Sequence, residues 1–202
     1  MSGIKENLRT TYNNYAEERD AAGMESWKFR ERQSFLQSIL EEDLNSILEL
    51  GAGTGRDALY FQENRFDVVC VDLSDEHVRL CNEKGLDAHR MDFYKLDFEP
   101  ESFDSVYAMN SLLHVPKADL GIVLDEVRRV LKPGGLFFFG VYGGKSSDGV
   151  WEGDRFEPKR HFTLYEDEEL LAVVRDKFGI EDFHIEFLGD DVPHFQSLLL
   201  RK

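Results

Sequence analysis

The chain has 202 residues, the length of one ordinary domain, and 42% of them are hydrophobic. This hydrophobic content is too high for an intrinsically disordered chain. Lys and Arg number 24 against 40 Asp and Glu, so the formal net charge is −16. Such a charge argues against a nucleic-acid partner and against an anionic membrane surface, because both are bound through clustered Lys and Arg.

The sequence lacks the patterns of a membrane helix, an export signal and a zinc site, and these absences predict where the protein is found and whether it binds a metal. No apolar run approaches the roughly 20 residues that a membrane-spanning helix needs. Residues 1–10 contain no apolar signal core, so we expect no export. The two cysteines, Cys70 and Cys81, then predict a reducing compartment and a cytoplasmic protein. The sequence shows no spacing typical of a zinc site, and we expect no bound metal.

The hydrophobic pattern changes near residue 45. Before that point, Phe35, Leu36, Ile39 and Leu40 recur at helical spacing, which predicts a helical N-terminal segment. After it, short apolar stretches alternate with amphipathic ones, as in chains built from strand–helix–strand units. The expected strands span residues 46–50, 66–71, 86–90, 103–109, 136–142, 183–188 and 195–200, and the expected helices span 56–64, 75–84, 120–131 and 166–178.

This alternation predicts an α/β fold, namely a Rossmann-like, doubly wound, mostly parallel seven-stranded sheet with helices on both faces. An N-terminal helical cap over residues 1–45 and an α/β core over residues 46–202 are expected to form one domain. The last strand is expected to be antiparallel and inserted beside the fifth. The stretch 143–163 is expected to be irregular, and a loop of about 20 residues is either functional or mobile.

A glycine cluster follows the first expected strand, where ligands bind in open parallel sheets. Gly51, Gly53 and Gly55 let the backbone approach a ligand closely. The cluster also fits a dinucleotide fingerprint, which keeps a nicotinamide-dependent reductase as an alternative. However, Glu49 in the strand would repel a pyrophosphate and can reach an ammonium group. Asp72, at the end of the second strand, can accept hydrogen bonds from ribose hydroxyls. The site therefore suits an adenosine with an amino-acid tail.

Five motifs in this order resemble the class I S-adenosylmethionine-dependent methyltransferases, in particular their small, bacterial-type group that acts on small molecules. The resemblance covers about residues 46–142. It rests on the glycine-rich segment 48–55, the segment 71–74 after the second strand, Met91-Asp92-Phe93, the fourth-strand segment 103–115, and the turn 130–136 before the fifth strand.

The resemblance implies S-adenosylmethionine as the cofactor and S-adenosylhomocysteine as the product. It implies that the first motif lines the methionine end of the cofactor and that Asp72 holds the ribose. Leu73, Asp92 and the backbone of Phe93 would contact the adenine. The end of the fourth strand would face the transferred methyl group, and aromatic side chains of the cap would cover the cofactor. The cofactor-binding residues expected in this way are Tyr15, Trp27, Glu49, Gly51, Ala52, Gly53, Asp72, Leu73, Asp92, Phe93, Met109 and Asn110.

Three residues are candidates for catalysis. Methyl transfer from a sulfonium is an in-line displacement, and a general base is needed only when the nucleophile arrives protonated. His114 after the fourth strand, Tyr142 at the end of the fifth and His161 in the irregular stretch are the candidate bases. Each also has a purely structural interpretation, as a loop-orienting histidine, a packed tyrosine and a solvated histidine. The basic residues 159–161 could clamp an anionic substrate or form a solvated charge run.

The predicted function is methylation of a small-molecule acceptor by a monomer or weak homodimer. A non-catalytic module that only binds the cofactor is a second alternative to the reductase. A protein or nucleic-acid methyltransferase would usually carry a recognition domain or a basic groove, and neither is visible. The sequence leaves open which acceptor atom is methylated and what the pair Arg56-Asp57 does.

Overall fold

Three helices form the N-terminal cap of the protein. The computed structural model describes residues 2–190 and 192–202. Helix α1 spans Ser2–Asn14, α2 spans Ala16–Ala21 and α3 spans Ser26–Glu41. Helix α3 buries Trp27, Phe35 and Ile39 against the sheet, so its apolar spacing reflects packing on the α/β core.

Strands and helices alternate through the rest of the chain. The first half of the core contains β1 (Ser46–Leu50), α4 (Arg56–Glu63), β2 (Asp67–Asp72), α5 (Asp75–Glu83), β3 (Asp87–Arg90), β4 (Phe103–Met109) and α6 (Leu120–Val130). The second half contains β5 (Leu131–Gly143), β6 (Ser147–Val150), β7 (His161–Leu164), α7 (Asp167–Arg175), β8 (Gly179–Glu186) and β9 (His194–Arg201). No helix in these described segments is long and apolar enough to cross a membrane.

Seven strands form one sheet in the order β3-β2-β1-β4-β5-β9-β8. Strands β1 to β5 pair in parallel, whereas β9 is antiparallel to both of its neighbours. The Rossmann-like α/β prediction is confirmed, including the insertion of the last strand beside the fifth. The order reverses between β1 and β4, so the carboxyl ends of these strands open onto the crevice where such sheets bind ligands.

Side chains of the central strands alternate between two apolar layers. On β5, Phe137 and Phe139 point to the layer formed with α6 and α7. Phe138, between them, points to the layer formed with α3. Both faces are thus covered by helices, which explains why apolar residues predominate over residues 136–142 of this strand.

The expectation of an irregular stretch over residues 143–163 is wrong for part of that stretch. Strands β6 and β7 form an antiparallel pair inside it, with Val150 opposite His161. The pair is fixed by polar contacts, because His161 Nε2 and Thr163 Oγ1 lie 2.7 and 3.1 Å from Asp148 Oδ1. Short polar strands of this kind carry no apolar alternation that a sequence pattern can detect.

Two further boundaries differ from the expected ones. Strand β8 begins at Gly179 and ends at Glu186, whereas the expected strand was shifted towards the C-terminus by the apolar residues up to Leu188. Phe187 is instead 69% exposed beyond the strand end. Strand β5 begins at Leu131, because Leu131 pairs with Phe103 before an irregularity in the register.

One carboxylate holds the amino ends of β1 and β4 together. Asp104 on β4 accepts hydrogen bonds from the backbone N–H groups of Asn45 and Ser46, at 3.3 and 3.0 Å, and from Lys132 Nζ at 2.7 Å. Burial opposes ionisation of this group, but the bonds from Lys132 and Ser46 outweigh it and lower the pKa of Asp104 to about 2.

We expect Asp104→Asn to destabilise the fold by about 1–2 kcal/mol at neutral pH, allowing for partial solvent screening of the pair. A carboxyl whose pKa is lowered by folding stabilises the fold above its unfolded pKa of about 3.9, and this stabilisation is lost as the pH falls through about 2. Urea unfolding of both proteins at pH 7 and near pH 2 measures the effect. An equal difference in unfolding free energy at both pH values would contradict this assignment.

Candidate cofactor site

A cavity of about 360 Å³ lies at the carboxyl ends of β1, β2 and β4. Helix α1 and the segment around residues 19–28 contribute the opposite wall. The cavity brings together most of the residues that the sequence singled out, namely Glu49, Gly51, Ala52, Gly53, Asp72, Leu73, Asp92, Phe93, Met109, Asn110 and His114.

The turn after β1 presents bare backbone to this cavity. Gly51 has a φ of 73°, and an added methyl group would collide with the side chain of Ser111. Gly53 has a φ of 55°, and no described atom lies within 4 Å of the position that a Cβ would take. Gly51 is thus required because a larger residue would collide with its neighbour, whereas Gly53 leaves room for a ligand. Both residues have a positive φ, a backbone conformation that strains residues other than glycine.

Asp72 joins this turn to the next helix. Its Oδ2 accepts the N–H of Gly53 at 2.9 Å, and its Oδ1 accepts the N–H of Ser74 at 2.8 Å. Burial opposes ionisation, but the neighbouring His77 and the two N–H groups outweigh it, so the pKa of Asp72 lies below its ordinary value. The carboxylate is therefore charged at neutral pH and is a strong hydrogen-bond acceptor beside the cavity.

Two buried polar side chains at the other strand ends have unused hydrogen-bonding atoms. Within the described chain, Glu49 Oε2 and both amide atoms of Asn110 lack hydrogen-bond partners. Burial, reinforced by the charge of Asp57, raises the pKa of Glu49 well above its ordinary value. Asn110 adopts a φ of 54°, an uncommon conformation for a residue other than glycine. Unsatisfied buried groups are costly and indicate a ligand that satisfies them.

Helix α1 covers the side of the cavity where the sequence places an adenine. Lys5 Nζ lies 2.6 Å from Asp92 Oδ2 and 3.5 Å from the centre of the Tyr94 ring. The N–H of Tyr94 also donates to Asp92 Oδ1 at 3.2 Å. Asp92 therefore links its own turn to the cap.

A chain of hydrogen bonds surrounds His114. Its Nδ1 lies 2.7 Å from the carbonyl oxygen of His161, so this nitrogen carries a proton and donates it. Its Nε2 then accepts from the hydroxyl of Tyr12, at 2.5 Å. The hydroxyl of Tyr12 also accepts from Arg160 Nη1 at 3.1 Å. Burial, opposed by the bond to His161 and reinforced by the charge of Arg160, lowers the pKa of His114 to about 3.

Four residues suggested for the site are not among those that line the cavity. Tyr15 packs against Phe156, with ring centres 4.5 Å apart. Trp27 and Tyr142 pack against Phe195, at 4.5 and 6.1 Å. His161 is 8% exposed and contacts His114 through its backbone. These side chains lie in the supporting structure around the cavity.

The charged pairs that the sequence left unexplained have partners in the structure. Lys159 pairs with Glu152 at 2.9 Å and Arg160 with Asp154 at 2.7 Å, so these two cations are bound within their own loop. The guanidinium of Arg56 donates to the carbonyl oxygen of Arg19. Asp57 pairs with Arg32 of α3 at 3.0 Å. Arg56 and Asp57 therefore tie the start of α4 to the helical cap.

Several cavity residues were missed by the sequence reasoning, among them a histidine and an arginine. His77 and Arg19 both line the cavity. His77 follows the helix-capping Ser74 by three residues, a spacing that predicts a place on the first turn of a helix next to Asp72. Arg19 gave no signal, because the position of α2 over the sheet depends on tertiary contacts.

Comparison with known proteins agrees with this geometry. Residues 48–139 match the family model described as a methyltransferase domain. The sterol 24-C-methyltransferase of Candida albicans is 32% identical over 130 residues, which are 56% of this chain and 33% of that enzyme. The sarcosine/dimethylglycine N-methyltransferase of Aphanothece halophytica is 39% identical over 102 residues, which are 46% of this chain and 36% of that enzyme. The chain spans about a third of the length of these two curated relatives.

Solved structures share the fold over nearly the whole chain. The Burkholderia thailandensis 1,6-didemethyltoxoflavin-N1-methyltransferase, bound to 1,6-didemethyltoxoflavin and S-adenosylhomocysteine, has a TM-score of 0.76 at 21% identity, over 96% of this chain and 87% of that one. An S-adenosylmethionine-dependent methyltransferase from Clostridium acetobutylicum has a TM-score of 0.70 at 16% identity, over 94% of this chain and 98% of that one. Residues 48–139 are thus similar to a methyltransferase domain, and the chain shares its fold with these solved structures.

Proposed function

We propose that the chain binds S-adenosylmethionine in the cavity and methylates a small-molecule acceptor. One observation carries the proposal: the unused buried atoms of Glu49 and Asn110 flank a bare glycine turn, with the charged Asp72 beside it. A carboxyl group, an amide and a second carboxylate suit a ligand with an ammonium group and a ribose. A dinucleotide would instead place its pyrophosphate beside the carboxyl group of Glu49, which offers no positive charge and repels phosphate when it is ionised.

Each of these residues has a role in the proposal. Glu49 accepts from the ammonium group of the methionine end, and Asp72 accepts from the ribose. Asp92 and the backbone of Phe93 contact the adenine, and Met109 and Asn110 face the reacting centre. When bound, S-adenosylmethionine supplies a methyl group on a sulfonium, which is already a strong electrophile. The chain then contributes alignment and the exclusion of water.

His114 acts in this proposal as a positioning residue for Tyr12. Both of its ring nitrogens are already hydrogen-bonded, one to His161 and one to Tyr12. A pKa of about 3 also makes the imidazole a weak proton acceptor at neutral pH. Tyr142 and His161 are not among the cavity-lining residues. The nucleophile is therefore expected to arrive without a proton that the protein must remove.

The lining of the cavity favours a small, polar acceptor. Lys5, Arg19, Glu25, Lys28 and Arg155 all line it, whereas a sterol requires a largely apolar pocket. Its volume of about 360 Å³ is near the lower end of ligand sites and has to hold the cofactor as well as the acceptor. Similarity to an enzyme named for sarcosine and dimethylglycine, two small polar molecules, supports the same class of acceptor.

Formation of S-adenosylhomocysteine tests the proposed function. We expect it to form when the protein is incubated with S-adenosylmethionine and a suitable member of a panel of small carboxylates, thiols, acidic phenols and amines. A sterol should give no reaction. Binding of S-adenosylhomocysteine without turnover on any panel member would favour the alternative of a non-catalytic binding module.

Cofactor binding is expected to release a proton from Glu49. The raised pKa keeps this carboxyl protonated in the free protein, and an ammonium partner stabilises its ionised form. The affinity for S-adenosylhomocysteine should therefore rise with pH until the raised pKa is passed, and then level off. Calorimetry in two buffers with different ionisation enthalpies measures the release, and Glu49→Gln should abolish it. An unchanged proton count in the variant would contradict the role of Glu49.

The pH profile separates the two roles of His114. With a pKa of about 3, His114 is neutral from pH 5 to 9 and adds no inflection to kcat/KM in that range. His114→Gln can still donate to the His161 carbonyl and accept from Tyr12, so it should keep most of the activity, whereas His114→Ala should not. If His114 were the base, the Gln variant would lose roughly 10²–10⁴-fold in kcat. The acceptor identified in the panel serves as substrate.

A further inference from the structure

His77 is a buried polar side chain with no assigned role. It is 2% exposed and lies on the first turn of α5, where its N–H donates to the helix-capping Ser74 Oγ at 3.1 Å. The residue is among those that line the cavity. Neither ring nitrogen makes a well-aligned hydrogen bond with any described residue. An apolar side chain could fill the same space without leaving two polar atoms unsatisfied.

The surroundings of His77 define how its ring can act. Nδ1 lies 3.3 Å from Asp72 Oδ2, and the ring of Tyr12 lies 5.3 Å away, centre to centre. Tyr12 is in turn 5.6 Å from the ring of His114. His77 therefore lies on the Asp72 side of Tyr12. With its Nδ1 proton directed at Asp72, His77 keeps the lone pair of Nε2 as a free acceptor.

The hydrogen bonds already made to Asp72 leave a need for another acceptor. Its Oδ2 accepts from Gly53 and faces His77 Nδ1 at 3.3 Å, and its Oδ1 accepts from Ser74, which leaves one of the roughly four acceptor sites of the carboxylate free. The ribose of an adenosine ligand brings two adjacent hydroxyl groups, each of which loses a hydrogen bond to water on entering the site. Asp72 can satisfy one hydroxyl directly, and the neighbouring imidazole can satisfy the other.

We propose that His77 is a second ribose-binding residue, which accepts a hydrogen bond from one ribose hydroxyl through Nε2 while its Nδ1 proton is directed at Asp72. The inference rests on the proposed function, because it requires a ligand that carries an adenosine. It adds to the carboxylate at the end of β2 a histidine from the following helix, so that the two hydroxyls are bound by two side chains.

Calorimetric titration tests the inference with S-adenosylhomocysteine and its 2′-deoxy and 3′-deoxy analogues. Wild-type protein should bind the analogue that lacks the hydroxyl contacted by His77 about tenfold more weakly than S-adenosylhomocysteine. His77→Met, which keeps the volume and removes the acceptor, should bind S-adenosylhomocysteine about tenfold more weakly. The variant should show no further loss with that analogue, since the two changes remove the same hydrogen bond.

Two more variants separate recognition from structural damage. His77→Gln places an amide oxygen near the position of Nε2 and should recover part of the affinity and of the discrimination. His89→Met is the matched control, because His89 is exposed on β3 and is not among the residues that line the cavity, and it should bind like wild type.

The possible results show separately whether the role of His77 or the proposed function is wrong. If His77→Met discriminates between the three ligands as wild type does, the inference is overturned and the proposed function stands. If it loses affinity equally for all three ligands and His77→Gln restores nothing, His77 has only a structural role and the inference is likewise overturned. If wild-type protein binds none of them, the proposed function fails and the inference fails with it.

Discussion

The carboxylate of Asp72 is the interaction on which the cavity depends. Its two oxygens accept the N–H groups of Gly53 and Ser74, so one side chain joins the turn after β1 to the start of α5. These segments follow neighbouring parallel strands, which are paired as far as Leu50 and Val71. Because the group is buried and ionised, both turns are held by charge-assisted bonds, which are stronger than neutral ones.

The helical cap turns this open strand end into an enclosed cavity. Helix α1 is attached along its length by Lys5 to Asp92, by Arg9 to Asp75 and by Tyr12 to His114. All three contacts are polar, and the two ion pairs are partly exposed. Contacts of this kind contribute little stability each and can open without loss of the fold. Helix α1 is therefore attached in part by interactions that can open to admit a ligand, whereas α3 is packed into the apolar core.

The site residues at the strand ends can be predicted from the sequence better than the contacts of the cap can. Glu49, Asp72 and Asn110 could be identified because each follows from its place at the end of a parallel strand. Tyr142 also ends a strand, yet its ring packs against Trp27 and Phe195, and no local pattern predicts that contact. His77 required knowledge of how the first turn of α5 faces Asp72. The pairing of β6 with β7 depends on Asp148 and His161, which are 13 residues apart.

Binding of S-adenosylmethionine in the cavity is tested by a ligand titration of the protein. The protein is titrated in a calorimeter with S-adenosylmethionine, S-adenosylhomocysteine, NADH and NADPH under one set of conditions. We expect micromolar binding of the first two ligands and no binding of the nicotinamide nucleotides. Binding of NADH or NADPH in place of S-adenosylhomocysteine would contradict this expectation, and would mean that the carboxyl group of Glu49 does not exclude a pyrophosphate.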